Sequence, residues 1–270
     1  MTARIPPRAA LVLACTMLAS LGGPVRGVSA QAPLKIFISV DMEGIGGVGT
    51  GAMTGSSGKD YSTARRLMTD EVNEVVAAIF ARGPAEIVVN DSHGDHQNVL
   101  HTELDPRVLY VQGAIKPLGM VSGLDDSYDG AVFLGYHAKA GDPAGFLAHT
   151  GTGSVKGLWL NDVEVGEAGM NAAFAGMLGV PVLLASGDSA FTAETRAYLD
   201  AETVTTKHAV TPAAARLLHP QVVRAALRAG TDRALDRLAR GEIRAWTPGE
   251  EIRIRMRFDS TTHVEILQSI

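Results

Sequence analysis

Apolar positions along this chain follow two alternating patterns. Short β-rich runs, of which 35–40 (KIFISV) is the first, give way to longer stretches whose apolar residues recur at helical spacing. Over 61–82, Leu67, Val72, Val75, Val76 and Ile79 share one broad face, which predicts a helix, and Gly83-Pro84 ends it. Further strands are predicted at 86–89, 108–111, 131–134, 182–185 and 204–207. Leu158-Trp159-Leu160 and Val163-Glu164-Val165, joined by Asn161-Asp162, read as a hairpin. Helices are predicted over 169–178, where small residues allow close packing, over 193–199, and over 212–240 with a break near His219-Pro220. Residues 251–258 (EIRIRMRF) alternate charged and apolar side chains, as a strand with one wet face does. No internal repeat of fixed period is visible. Strand–helix alternation predicts an α/β fold, a mainly parallel sheet flanked by helices, over 31–190, and a smaller C-terminal α+β part over 191–270.

The first thirty residues break this pattern. Arg4 and Arg8 precede an apolar run over 9–21, Gly22-Gly23-Pro24 interrupts it, and Val28-Ser29-Ala30 offers small residues before Gln31. That order is expected of a secretory signal peptide, 1–30, and the run is short for a membrane span, which needs about 20 apolar residues. Cys15 reads as an ordinary residue of the run. Cleavage after Ala30 would remove Arg4, Arg8 and Arg26 and no acid, so the net charge of −5 becomes −8, with no cysteine left. The expectation is an exported protein, periplasmic or secreted, without stable membrane association after cleavage.

Composition narrows the function classes. With 46% hydrophobic residues, the 270-residue chain can bury enough surface to offset ordering entropy, which excludes disorder. A net charge of −5 argues against a broad nucleic-acid footprint. One cysteine excludes an internal disulfide framework and a thiolate zinc cluster, so any metal must be held by His, Asp and Glu.

Those three residue types recur at strand ends. Asp41 and Glu43 follow the first strand, Asn90-Asp91-Ser92-His93 the second, and Gly135-Tyr136-His137 the fourth. In an open α/β sheet these ends line one crevice, where ligands bind. Carboxylate oxygens with imidazole nitrogens suit zinc or another divalent first-row metal, and clustered carboxylates repel unless a cation sits between them. Taken singly, Asp41 or Glu43 reads as a turn or cap residue, Asp91-Ser92 as a turn and His137 as a core histidine; the repeated placement is what speaks for a site. Gly44-Ile45-Gly46-Gly47-Val48-Gly49 matches a dinucleotide fingerprint, but the next helix is expected only near Asp60-Tyr61 and Asp91 lies too far on for a ribose-binding acid. Residues 44–58 are read instead as a mobile loop at the mouth of the site.

Ser39-Val40-Asp41-Met42-Glu43-Gly44, Asn90-Asp91-Ser92-His93, Gly135-Tyr136-His137-Ala138 and Gly166-Glu167-Ala168-Gly169-Met170-Asn171 together resemble, in order and interval, the D-aminopeptidase family (peptidase family M55). Lys116-Pro117 and Gly123-Leu124-Asp125-Asp126 fit the same pattern, which runs over about 35–189 with a weaker tail to 258. The resemblance implies two Zn2+ per subunit, held by Asp41, Glu43, His93, His137 and Glu167, with Asp41 bridging. It implies a non-ligand catalytic histidine at His149. Without it, Glu167 reads as a helix-start acid and His149 as a polar loop residue.

The implied activity is hydrolysis, by metal-activated water, of short peptides with an N-terminal D-residue, such as D-Ala-D-Ala. The implied assembly is a homo-oligomer of stacked pentamers, a decameric ring admitting small peptide substrates. The chain ends soon after the strand at 251–258, where the resemblance implies a further strand and helix. Asp91 and Asn171 are candidates to orient a ligand histidine. His96 and His101 could fringe the site but are read first as surface residues, and His208, His219 and His263 as structural or solvated. The rival classes are a metal-dependent phosphohydrolase and a non-catalytic exported peptide- or metal-binding protein. Few basic residues near the motifs (Lys59, Lys116, Lys139, Lys156) disfavour an anionic substrate.

Overall fold

The structure, a computed structural model, describes residues 32–268; the expected signal peptide lies outside them. Its main sheet has seven strands. β1 (Leu34–Val40), β2 (Ala85–Asp91), β3 (Leu109–Val111), β4 (Gly130–Tyr136), β7 (Val182–Asp188) and β8 (Glu202–Thr211) are parallel, and β9 (Ala214–Leu217) pairs antiparallel with β8 at the edge. The order is β3-β2-β1-β4-β7-β8-β9. A second, antiparallel sheet has the order β10-β5-β6, from β5 (Val155–Leu160), β6 (Val163–Glu164) and β10 (Ile254–Phe258). The helices are α1 (Tyr61–Ala81), α2 (Glu167–Met177), α3 (Ser189–Arg196), α4 (Pro220–Ala239) and α5 (Thr261–Gln268). Pro33–Ile270 forms one compact unit.

The near-continuous apolar runs of the central strands follow from burial on both faces. Along β1, Ile36, Ile38 and Val40 join a core with Met68, Val72, Val75, Val76 and Ile79 of α1 and Val223 and Leu227 of α4. Phe37 points the other way, into a core with Phe133, Ala168 and Ala172 of α2, and Phe191 of α3. The alanines of α2 let that helix approach the sheet closely. No helix among the described residues is long and apolar enough to cross a membrane.

Three expectations change. The helix expected from residue 212 begins at Pro220, capped by His219, whose Nδ1 accepts the Gln221 N–H; Ala214–Leu217 is a strand. Pairing with β8 overrides the helix preference of its alanines and leucine. β10 is wet on both faces rather than one: Arg255 lies over the Trp159 ring at 4.1 Å, and Ile254 remains 63% exposed. Residues 44–49 are not a mobile loop. Ile45 and Val48 are wholly buried and belong to the main core. As expected, this glycine-rich stretch opens no helix; after a short 3-10 turn at Gly51–Met53, α1 begins at Tyr61.

β1 and β4 are neighbours whose chains continue in opposite directions across the sheet, β1 towards β2 and β4 towards β7. Such a switch point leaves a crevice beyond the strand ends. Two glycines allow the close approach there. A Cβ on Gly44 would fall 1.9 Å from the Tyr136 carbonyl oxygen, and one on Gly135, at φ +66, 2.3 Å from that of Asp41. Gly44 N–H donates to Gly135 O at 2.7 Å.

Candidate metal centre

The crevice is a cleft of about 580 Å³ lined in part by Asp41, Glu43, His93, His149 and Glu167. All five residues expected as ligands meet there, although they span 126 positions from Asp41 to Glu167. With His149 as a sixth residue they form two groups, Asp41–Glu43–His93 and His137–His149–Glu167; within each, the candidate ligand atoms lie within 4.8 Å of one another. Asp41 stands between the groups: its Oδ1 is 3.1 Å from His93 Nδ1 and its Oδ2 3.3 Å from His137 Nε2. Glu43 Oε2 is 3.0 Å from His93 Nδ1, and Glu167 Oε2 is 3.3 Å from His137 Nε2.

Each histidine has one nitrogen against a backbone carbonyl. His93 Nε2 is 2.7 Å from Thr54 O, His137 Nδ1 3.0 Å from Ala138 O, and His149 Nδ1 2.9 Å from Leu147 O. A carbonyl only accepts, so each of these nitrogens carries the proton. The other nitrogen of a neutral ring then presents a lone pair to carboxylate oxygens. Acceptors facing acceptors repel unless a cation joins them. Asp41 Oδ2, Glu43 Oε2 and His137 Nε2 are buried with no hydrogen-bond partner. Carbonyl-fixed imidazoles aimed at buried, unpartnered carboxylates fit a divalent metal with nitrogen and oxygen ligands.

Without metal, protons take over that balance. Burial would lower His93, but Asp41 and Glu43 outweigh it and push it up to about 12. Burial would likewise lower His137, yet Glu167 and Asp41 hold it well above its ordinary value. Burial would raise Asp41, but the adjacent His137 and His93, once protonated, keep it far below the usual carboxylate range. Glu167 is lowered against its burial by His137, His149 and the Gly151 N–H.

Local structure aims each group. Asp91 does not touch the His93 ring, as had been expected of an orienting residue. It braces the turn that carries it, accepting from Asn98 N at 2.6 Å, Val99 N at 2.8 Å and Tyr110 Oη at 2.8 Å. Asn171 touches no ligand histidine either; its Nδ2 donates to Tyr136 Oη at 3.1 Å, under the cleft floor. Glu167 opens α2, and its Oε1 accepts Gly151 N–H at 2.6 Å. His149 stacks on His137 with ring centres 4.0 Å apart, and its Nε2 is 3.7 Å from Glu167 Oε1.

The lining also has an apolar part: Leu118, Met120, Val121, Met170 and Phe174. No lysine or arginine is among the lining residues. His96, expected at the surface, lines the cleft in a left-handed conformation (φ +60). Its place depends on how 92–99 folds around Asp91, which spacing alone does not reveal.

Comparison with known proteins agrees with this geometry. A family model described as D-aminopeptidase (peptidase family M55) matches residues 34–270. A D-aminopeptidase of Bacillus subtilis (strain 168) is 38% identical over 188 residues, 69% of this chain and 68% of that protein. A solved structure described as the Zn-dependent D-aminopeptidase DppA from Bacillus subtilis, a self-compartmentalizing protease, matches with a TM-score of 0.84 and 34% identity over 88% of this chain and 86% of that one. With the strand-end ligands, the topology and the family match in agreement over nearly all the described residues, the chain belongs to the D-aminopeptidase family of peptidases.

Proposed function

We propose that this protein is an exported, zinc-dependent aminopeptidase that hydrolyses short peptides bearing an N-terminal D-residue. Two Zn2+ ions would be held by Asp41, Glu43, His93, His137 and Glu167, with Asp41 between them. The observation that carries this is the set of buried, unpartnered donor atoms on Asp41, Glu43 and His137. Zinc bound there would supply a Lewis acid and a water of lowered pKa.

The chain's own residues do the rest. Asp41 offers one oxygen to each group, so a single carboxylate ties the two halves at fixed spacing. The carbonyls of Thr54 and Ala138 keep His93 and His137 in one tautomer and one orientation. His149 is the proton carrier. Leu147 O holds its Nδ1–H, and its Nε2 faces the cleft at a side chain 32% exposed, open enough to reach substrate. It accepts a proton as water attacks the peptide carbonyl and returns one to the leaving amine. The lining of Met120, Met170 and Phe174 gives a peptide's side chains an apolar surface.

A lining free of lysine and arginine speaks against a phosphate ester as substrate. The decisive experiment compares D-Ala-D-Ala, L-Ala-L-Ala and a phosphate ester before chelation, after it, and after zinc is restored. D-Ala-D-Ala turnover that chelation abolishes and zinc restores is expected; turnover that survives exhaustive chelation overturns the proposal.

Export is supported by the arginine–apolar–small-residue order of 1–30, and by a family match that begins only at residue 34. Amino-terminal sequencing of the secreted or periplasmic protein should start at Gln31. An oligomeric, enclosing assembly is supported by the self-compartmentalizing description of the Bacillus relative; the decameric ring of stacked pentamers that the resemblance implies is tested by the mass in solution from light scattering.

A further inference from the structure

Glu43 sits in a stretch without regular structure, yet Met42, Ile45 and Val48 around it are wholly buried. The peptide groups of this stretch are bonded by side chains from far along the sequence. Lys207 in β8 is wholly buried. Its Nζ donates to the carbonyl oxygens of Glu43 and Val48, the latter at 2.7 Å, and lies 5.0 Å from the centre of the Phe146 ring. The adjacent Thr206 donates from Oγ1 to Gly44 O at 2.5 Å. From α1, the buried Glu71 accepts the Gly46 N–H through Oε1 at 2.7 Å. A Cβ on Gly46 would fall 2.7 Å from that same oxygen, so loop and clasp fit closely.

A buried ammonium is costly unless its protons are bound. Here two of its bonds go to carbonyls that flank one short loop, and that loop delivers Glu43 to the cleft. Neither Lys207 nor Glu71 lines the cleft, and neither takes part in the chemistry above. The second group is held by other means: Ala138 O, Leu147 O and the Gly151 N–H.

We propose that Lys207 is a positioning residue for one metal site only: by holding the Glu43 carbonyl from behind, it fixes the Glu43 carboxylate beside His93 and sets the affinity of the Asp41–Glu43–His93 group. Thr206 and Glu71 hold Gly44 and Gly46 to the same end. The inference rests on the reading that this group binds an ion.

The test titrates zinc into the metal-free purified protein, as wild type, Lys207→Met and Glu43→Gln. Bound metal is counted at each buffered free-zinc level, with cobalt(II) absorption in parallel. Wild type should bind two ions. Lys207→Met should keep one at wild-type affinity and bind the other about 10- to 100-fold more weakly, the range for residues that orient metal ligands from behind. Glu43→Gln should lose the same ion. Equal weakening of both ions in Lys207→Met, or a change in melting temperature alone, marks a purely structural role and overturns the proposal. Two unaltered affinities in Lys207→Met, with one ion lost in Glu43→Gln, overturn it while leaving the metal site standing. Two unaltered ions in Glu43→Gln overturn the metal site and the inference together. If Lys207→Met fails to fold, Thr206→Val probes the same loop through Gly44 O. Selective weakening of that one ion supports the proposal, and wild-type affinity for both overturns it.

Discussion

The two halves of the metal centre are built differently. The Asp41–Glu43–His93 group comes from turns that directly follow two adjacent parallel strands, β1 and β2, and those turns are braced by buried ionisable side chains, Asp91 beneath one and Lys207 and Glu71 beneath the other. The His137–His149–Glu167 group takes one residue from the end of β4, one from the first turn of α2 and one from the irregular stretch between β4 and β5. Two carbonyls and the Gly151 N–H hold its side chains, and Glu194 braces its backbone, accepting the Lys139 N–H at 2.9 Å and the Gly166 N–H at 3.0 Å. The strand-borne half therefore inherits the rigidity of the sheet. In the other half the side chain of His149, the proposed proton carrier, is more exposed, at 32% against 12% for His93.

The largest effect should come from the residue the halves share. Asp41→Ala should empty both sites and abolish turnover, read as zinc per chain by elemental analysis; retention of two ions would mean that the halves do not share Asp41. His149→Ala should separate chemistry from binding, since it lies in the second half but is assigned no ion. Both ions should stay while kcat falls about 10²- to 10⁴-fold, the usual worth of a positioned proton carrier. Loss of an ion in that variant would make His149 a ligand. Gly44→Ala presses on the seam between the halves, where a Cβ meets the Tyr136 carbonyl at 1.9 Å. It should destabilise the fold by roughly 1–3 kcal/mol, the usual cost of overpacking, in denaturant unfolding. The smallest effect is expected from Tyr110→Phe, which takes one of several donors from Asp91. A loss of about 1 kcal/mol with zinc content intact would place Asp91 as a brace of the first half; loss of the His93 ion would give it a larger part.

Legibility in the sequence divides along the same line. The first half could be read from spacing alone, because a β-rich run followed at once by Asp41 and Glu43, or by Asp91 and His93, is a local pattern. His137 was legible for the same reason. Glu167 and His149 were reachable only through resemblance to relatives, since an acid at a helix start and a histidine in a loop have ordinary local explanations. Lys207 had a faint local signal, a charge at the end of the β-branched strand prediction 204–207. Its use, though, depends on a loop about 160 positions away. Spacing misjudged 44–49, where glycines suggested freedom. They are there because the Gly135 turn, Glu71 and Leu67 press too closely for any side chain.

By itself the sequence determined the alternation of strands and helices, the two-faced burial of the central strands, and a candidate set of oxygen and nitrogen ligands at strand ends. These follow from short-range rules of periodicity, propensity and strand direction, which a linear reading contains. Only the tertiary structure decided which nitrogen of each histidine is free and which buried side chains brace the loops. Those depend on distances between residues far apart in the chain, and distance, not sequence separation, governs electrostatics and hydrogen bonding.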